Sequence, residues 1–302
     1  MTFAPALFCA LILDAILGEP KWLWDRIPHP AVLIGRAISW LETRFNNDPA
    51  RRIKGTEVVA LLSFAAIALG YGLSLLGPVA EILVAAILLA QKSLTQHVRA
   101  VADALRLSVP AGRQAVAMIV GRNTKDMTES DVSRAAIESA AENLSDGVIA
   151  PAFWFLVAGL PGLLLYKIVN TADSMIGHRT EQFEKFGWAA ARLDDVLNWI
   201  PARLTPVLMA LAYARLDVFK TLRRDARLHR SPNAGWPEAA IAVLLNTPLS
   251  GPRSYDGKRQ DFPWVYPEGK QMAGPGEIDQ AVAILWRTWA LATGLILIIA
   301  LI

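Results

Sequence analysis

Residues 58–76 read VVALLSFAAIALGYGLSLL, a run with no charged side chain. As a helix it spans about 28 Å at 1.5 Å per residue, close to the thickness of a bilayer's hydrocarbon core. A chain holding such a run must place it in lipid or bury it all round. The composition favours lipid: 54% of residues are hydrophobic and 19% charged, against about a quarter charged in soluble domains. The apolar excess is concentrated in blocks. Gly77–Pro78 signals a turn, and VAEILVAAILLAQ at 79–91 then completes a helical hairpin with 58–76. Further apolar blocks lie at 148–169, 204–214 and 281–302. The opening MTFAPALFCALILDAILGEP lacks a basic leader and a small-residue cleavage site, so it reads as an uncleaved first span or an inserted helix. The expected fold is all-α: a polytopic integral membrane protein with about 4–6 membrane-embedded helices. Polar helical loops are expected on the cytoplasmic side. No internal repeat or low-complexity linker divides the chain, so residues 1–302 read as one membrane-embedded domain.

The polar segments 18–57 and 92–147 are rich in Lys and Arg, which places them on the cytoplasmic side. Residues 92–134 read as soluble-type helices, and 215–230 as a basic amphipathic helix at the headgroup layer. SPNAGWPEAAIAVLLN at 231–246 reads as a further helix with a capping signal, and a Gly- and Pro-rich loop follows from Thr247 to Gly276. A net charge of +3 with no interleaving of basic and aromatic residues argues against a nucleic-acid partner. Cys9 is the only cysteine, which excludes an intramolecular disulfide, and His29, His97, His178 and His229 are too scattered to suggest zinc.

Three polar strings flank the apolar run 148–169: ESAAENLSDG at 138–147, NTADSMIGHR at 170–179 and ARLDDVLNWIPAR at 191–203. Ionised groups beside lipid are expensive, so such strings point to a functional site. Glu138 and Glu142 are four apart and share a helix face, with Asn143 and Asp146 near the helix end, where Gly147 permits a stop. Asn170, Asp173 and Ser174 share another face. Asp194, Asp195 and Asn198 form a third oxygen-rich group. Hard oxygen ligands without cysteine suit Mg²⁺ bridged to phosphate. Arg179, Arg192 and Arg203 would then clamp phosphate or carboxylate. Arg192 with Asp195 could equally be a structural pair. GLPG at 159–162 breaks the apolar run, which reads as a kinked span or as two re-entrant half-helices. The re-entrant reading, which lets the strings meet, is preferred. No Walker A string and no dinucleotide fingerprint is present.

ESAAENLSDGVIAPAFW, YKIVNTADSMIGHR, FGWAAARLDDVLNWIPARL and HRSPNAGWPEAA, with DAILGEP and HPAVLIG near the start, resemble the adenosylcobinamide-phosphate synthase family of cobalamin biosynthesis over nearly the whole chain. The resemblance implies a multi-pass enzyme of the cell membrane, the inner membrane in a Gram-negative cell, with a cytoplasmic active site. It implies an ATP- and Mg²⁺-dependent amide bond between the carboxylate of adenosylcobyric acid and the amine of (R)-1-amino-2-propanol or its O-phosphate. On that basis Asp173, Asp194 and Asp195 are expected to hold Mg²⁺, with Arg179 and Arg192 neutralising phosphate. Glu138 or Glu142 is expected to accept the amine proton, and Asn143, Asn170 and Asn198 to orient substrates, with Asp146 beside them. ATP is expected either among these groups or near Arg203, Ser231 and Asn233. Trp154, Trp188 and Trp199 are candidate walls for the corrinoid or else interface anchors. The bilayer is one expected partner; a second copy or other corrinoid-pathway enzymes are others. Departures from the family pattern occur at Asn123 within Gly121–Thr124, at His178 and at 249–251. Two other classes share the acidic motifs: a prenyltransferase-like enzyme acting on a Mg²⁺-bound diphosphate, and a transporter with an intramembrane acidic site.

Overall fold

The computed structural model describes residues 3–255 and 258–302. In chain order its helices are α1 (Ala4–Leu17), α2 (Lys21–Trp24), α3 (Pro30–Phe45), α4 (Arg51–Ser74), α5 (Pro78–Leu88), α6 (Gln91–Leu107), α7 (Val109–Ala117), α8 (Glu129–Leu144), α9 (Ala150–Ile176), α10 (Trp188–Leu197), α11 (Pro201–Ala212), α12 (Val218–Asp225), α13 (Gly235–Leu245) and α14 (Pro275–Leu301). Among the described residues, strand structure is confined to two short antiparallel ladders: β1 (Leu249–Ser250) with β4 (Trp264–Val265), and β2 (Arg253–Tyr255) with β3 (Lys258–Gln260). Among the described residues, four helical stretches are long and apolar enough to cross a membrane: Arg51–Ser74, Pro78–Leu107, Glu129–Ile176 and Pro275–Leu301. The protein is an all-α polytopic membrane protein.

The chain forms two compact units, each drawn from separate stretches. The first comprises Met1–Ala90, Ala150–Trp199 and Leu295–Ile302; the second comprises Gln91–Ile149 and Ile200–Gly294.

In the first unit α4 shows why its sequence is apolar all round. Val58, Leu62, Ala66 and Gly70, four residues apart, are buried, while Leu61, Phe64, Leu69 and Tyr71 on the other side are exposed. A water-facing helix would carry polar groups there; an apolar outer face belongs in lipid. The buried face packs on α9, which is interrupted where GLPG sits. Ala158 and Gly159 leave helical geometry, Gly159 at a positive φ of 60°, and Pro161 follows inside the helix. Broken backbone at membrane depth is tolerated only when covered by protein, and Gly159, Leu160 and Gly162 are all buried. Gly70 provides part of the cover, since a Cβ there would stand 2.6 Å from the Pro161 backbone. Gly70→Leu must push backbone rather than a flexible side chain. We expect it to destabilise the protein by about 1–3 kcal/mol, read as a lowered unfolding midpoint in detergent; an unchanged midpoint would contradict the packing.

In the second unit α6 buries Val98, Val101, Ala102 and Leu105, the spacing of one amphipathic face. This face packs on α8, whose Ala135, Ala136, Ala140 and Ala141 are fully buried and let the helices approach closely. A capping box starts α8: Thr128 Oγ1 accepts from Asp131 N, and Asp131 Oδ2 accepts from Thr128 N. The loop that carries the strands is tied to this end. Ala273 N donates to Ser130 Oγ at 3.0 Å and Arg134 Nη1 donates to the Gln271 carbonyl at 2.7 Å. Buried Asp225 accepts from Tyr266 N at 2.8 Å.

The structure departs from the sequence expectation in several places. Gly147 does not stop a helix; Ser145–Ile149 form a π-helical turn instead. Ending there would strand carbonyls ahead of an apolar stretch without capping groups, whereas a π turn keeps them bonded. The basic helix expected over 215–230 is shorter, because Ala214 takes a positive φ of 51° and regular α-helix runs only from Val218 to Asp225. The helix expected over 231–246 begins at Gly235, since Ser231 Oγ accepts from Asn233 N and Ala234 N and holds the preceding turn.

Candidate functional site

In the first unit a buried polar network joins α9 to α10. The Tyr166 hydroxyl donates to Asn198 Oδ1 at 3.0 Å, and Asn198 Nδ2 donates to both Asp194 oxygens at 3.1 and 3.0 Å. Asn170 Nδ2 adds a bond to Asp194 Oδ1 at 3.2 Å. Tyr166 and Asn198 are essentially without solvent exposure. Trp154 pins the end of α10 by donating from its indole N–H to the Leu197 carbonyl at 3.0 Å. Asp194 thus receives three carboxamide contacts and, among the described residues, no ion pair. Burial is the stronger influence on its acidity and raises the carboxyl above its ordinary value, with the two amides pulling the other way.

Asp195, next along, is half-buried and pairs with Arg192 at 3.5 Å. Burial raises this carboxyl too, opposed by the charges of Arg192 and then Arg179. The fold therefore gathers Asn170, Asp194, Asp195, Arg192 and Arg179 in one neighbourhood. Asp173 lies one turn beyond Asn170 on α9. Its Oδ1 sits over Gly177, where a Cβ would meet it at 1.9 Å, so only glycine leaves room for that side-chain placement. Asp173, Asp194 and Asp195 do not form a three-ligand group: among the described residues no three His, Cys, Asp or Glu side chains are placed to hold a metal ion. Of the candidate tryptophan walls, Trp188 carries the Arg52 guanidinium over its ring at 3.8 Å and Trp199 is exposed.

The raised Asp194 carboxyl has a thermodynamic consequence. The folded state holds this proton more tightly than the unfolded chain, so stability falls as pH rises from about 4 through the folded-state value. Asp194→Asn cannot ionise. We expect the difference in unfolding midpoint, wild type minus variant, to fall as pH is raised from about 4 to 7; a difference that rises with pH would contradict the burial argument.

The second unit holds a different polar group. Arg122 Nη2 donates to Glu138 Oε2 at 2.9 Å, with side-chain exposures of 9% and 7%. Glu138 Oε1 accepts from Ser250 N at 2.8 Å. These three residues line a cavity of about 150 Å³ with Asn123, Asp126, Met127, Asp131, Arg134, Pro252 and Trp264. The Arg134 guanidinium lies 5.2 Å from the centre of the Trp264 ring and 3.4 Å from Asp131. Glu142 and Asn143 follow on the exposed side of α8, where Asn143 Nδ2 donates to the Ser139 carbonyl, and Asp146 lies half-buried in the π turn. The cavity was not foreseen from the sequence, although its loop, Gly121–Thr124, had stood out as a motif.

A third cluster, also in the second unit, collects Arg203, Ser231 and Asn233. Arg203 donates to Asn233 Oδ1 at 2.6 Å and to the Pro232 carbonyl at 3.2 Å, and lies 4.8 Å from the Trp236 ring centre. Here Arg203 braces the SPN turn.

Residues 7–285 match the family described as CobD/Cbib protein. The chain is 52% identical to the Cobalamin biosynthesis protein CobD of Brucella anthropi, covering 97% of this chain and 95% of the relative. It is 46% identical to the protein of that name from a Sinorhizobium species, covering 97% of each. It is 43% identical to that of Rhodobacter capsulatus, covering 100% of this chain and 98% of the relative. No solved structure matches. With the match running through all three polar groups and nearly end to end, the chain belongs to the CobD/Cbib family of cobalamin-biosynthesis proteins.

Proposed function

We propose that the protein is an ATP-dependent acid–amine ligase. It joins the carboxylate of adenosylcobyric acid to the amine of (R)-1-amino-2-propanol or its O-phosphate, at the cytoplasmic side of the cell membrane. Membership of a cobalamin-biosynthesis family supports this reading. The observation that carries it is the pairing of half-buried Asp195 with Arg192, near Arg179 and beside the buried Asp194 network. Acid and arginine side by side suit the binding of a metal-bound phosphate.

A fully caged ion needs more ligands than the described residues gather. Mg²⁺ that arrives on nucleotide phosphates needs only one or two protein carboxylates, and that is the form these residues fit. Asp195 and Asp173 are assigned to it. Asp194 is mostly satisfied by Asn170 and Asn198, so its role is to position Asp195 rather than to meet the ion. ATP with Mg²⁺ supplies the activated phosphoryl group, and the carboxylate so activated is open to the amine. Arg179 and Arg192 offset the phosphate charge. Glu138 or Glu142, four apart on α8, is assigned the amine proton.

The reading is tested with purified protein, ATP, adenosylcobyric acid and either form of the aminopropanol. ATP consumption should require both organic substrates together. Diphosphate release would point instead to prenyl transfer, and vesicle uptake without a covalent product to transport.

A further inference from the structure

Helix α3 has two unlike faces. Ile38 and Leu41 are buried and join Val58, Val59 and Leu62 of α4 in one apolar cluster. The opposite face carries Leu33, Arg36, Trp40 and Arg44, three or four residues apart. All four are exposed, Trp40 at 65% and Leu33 at 49%. Among the described residues neither guanidinium makes an ion pair or a side-chain hydrogen bond. A face turned to bulk water is not built from tryptophan and leucine. A face turned to acyl chains does not carry two unpaired arginines. The mixture suits the layer between, where arginines reach phosphates and the apolar side chains enter the upper hydrocarbon.

The packing sets the depth of this face independently. α4 opens with Arg51, Arg52 and Lys54, and its uninterrupted apolar run begins at Val58, with Leu61 and Phe64 exposed. The α3 cluster meets α4 at Val58–Leu62, the first turn of that run. α3 is therefore held where lipid begins. α2 continues the surface: Trp22 is 68% exposed, and Lys21 and Arg26 beside it are exposed and, among the described residues, without an ion pair.

Two further observations point to an anionic partner rich in oxygen acceptors. Between Pro20 and Phe45 four Lys or Arg stand against two carboxylates, and one of these, Glu42, is engaged by Asn46 and Gln182. At the α2–α3 corner the rings of Trp24 and His29 pack edge to face, 4.5 Å between centres. His29 Nδ1 accepts from Ala31 N, so in the neutral ring Nε2 carries the proton. Both this N–H and the Trp24 indole N–H are sheltered and have no partner in the protein. An edge-to-face pair lets at most one of them point at the other ring, so at least one calls for an acceptor from outside the chain.

We infer that α2 and α3 lie in the headgroup layer and form a binding surface for anionic phospholipid. Arg36 and Arg44 sit on lipid phosphates, and Leu33 and Trp40 enter the upper acyl chains. The inference does not rest on the ligase reading.

Two measurements on the full-length protein test it, both in vesicles of equal parts phosphatidylcholine and phosphatidylglycerol. The first reads depth. Cys9→Ser removes the only cysteine, and Leu33→Cys then takes a single nitroxide. The label should be relaxed more by dissolved oxygen than by a water-soluble nickel chelate, at a depth within about 5–10 Å of the headgroup–acyl boundary. A label reached chiefly by the nickel chelate overturns the assignment. So does spin–spin broadening, which would show a second copy of the chain on this face. The second reads charge. Phospholipid retained after mild detergent extraction is quantified by mass spectrometry. Each basic residue near an anionic surface contributes about fivefold, and detergent competes, so phosphatidylglycerol should be enriched about threefold or more over phosphatidylcholine. Arg36→Gln with Arg44→Gln changes only exposed side chains and should cut that enrichment by half or more. Equal retention of both lipids by the native protein, or an enrichment that the paired substitutions leave unchanged, overturns the assignment.

Discussion

Glu138→Ala should destabilise the folded protein by about 3–5 kcal/mol, the usual consequence of removing one partner from a buried ion pair. Arg122 would keep its charge in a setting where its side chain is 9% exposed, and Ser250 N would lose its acceptor. The β1–β4 ladder is only two residues long on each side, so the loss of that anchor should also loosen the loop that roofs the cavity. A double-mutant cycle separates the pair from its parts. Arg122→Ala should be comparably harmful, because it leaves the Glu138 carboxylate buried. Arg122→Ala with Glu138→Ala should lose well under the sum of the two single losses, because it leaves no buried charge unpaired. Chemical denaturation of the three variants measures this. Near-additive losses in the cycle would mean that the pair is not energetically coupled and that the cavity is not built around it.

Asp195→Asn should lower kcat/KM for ATP by about a hundredfold or more, the scale seen when a group stabilising charge in a transition state is removed. The change keeps size and removes the charge that would meet a nucleotide-borne Mg²⁺. Asp195 is half-buried on a helix whose neighbouring carboxyl is locked by two carboxamides, so the backbone should not move. Arg192, mostly exposed, merely loses a partner at 3.5 Å, and an exposed pair contributes about 0–1 kcal/mol to stability. The expected signature is therefore a kinetic loss with an unchanged unfolding midpoint. Activity within twofold of wild type would remove Asp195 from the phosphate site.

The membrane architecture was legible because lipid imposes a rule that composition cannot hide. The outer face of α4 had to be apolar, so 58–76 could be read directly. The break at Ala158–Gly159 was legible in GLPG, since glycine and proline are the residues a broken helix needs. Contacts at helical spacing were legible too: Arg192 with Asp195, three apart, and Asp194 with Asn198, four apart. What stayed hidden is what spacing cannot reach. Glu138 was grouped with Glu142 by periodicity, yet its partner is Arg122, sixteen residues earlier in a loop. Asp194 was read as a metal ligand because it carries oxygen, but Asn170, 24 residues away, occupies it jointly with Asn198. The π turn at Ser145–Ile149 was missed because glycine there signals a stop only when the following chain can cap a helix end.

The central claim is that the chain forms an amide by activating a carboxylate with ATP. The most direct measurement uses corrinoid labelled with ¹⁸O in the reacting carboxylate, with ATP and the aminopropanol, and mass spectrometry of every product. The account predicts an amide product, ADP, and inorganic phosphate carrying one ¹⁸O atom from the acid. No amide, or an amide formed while the released phosphate stays unlabelled, would contradict it.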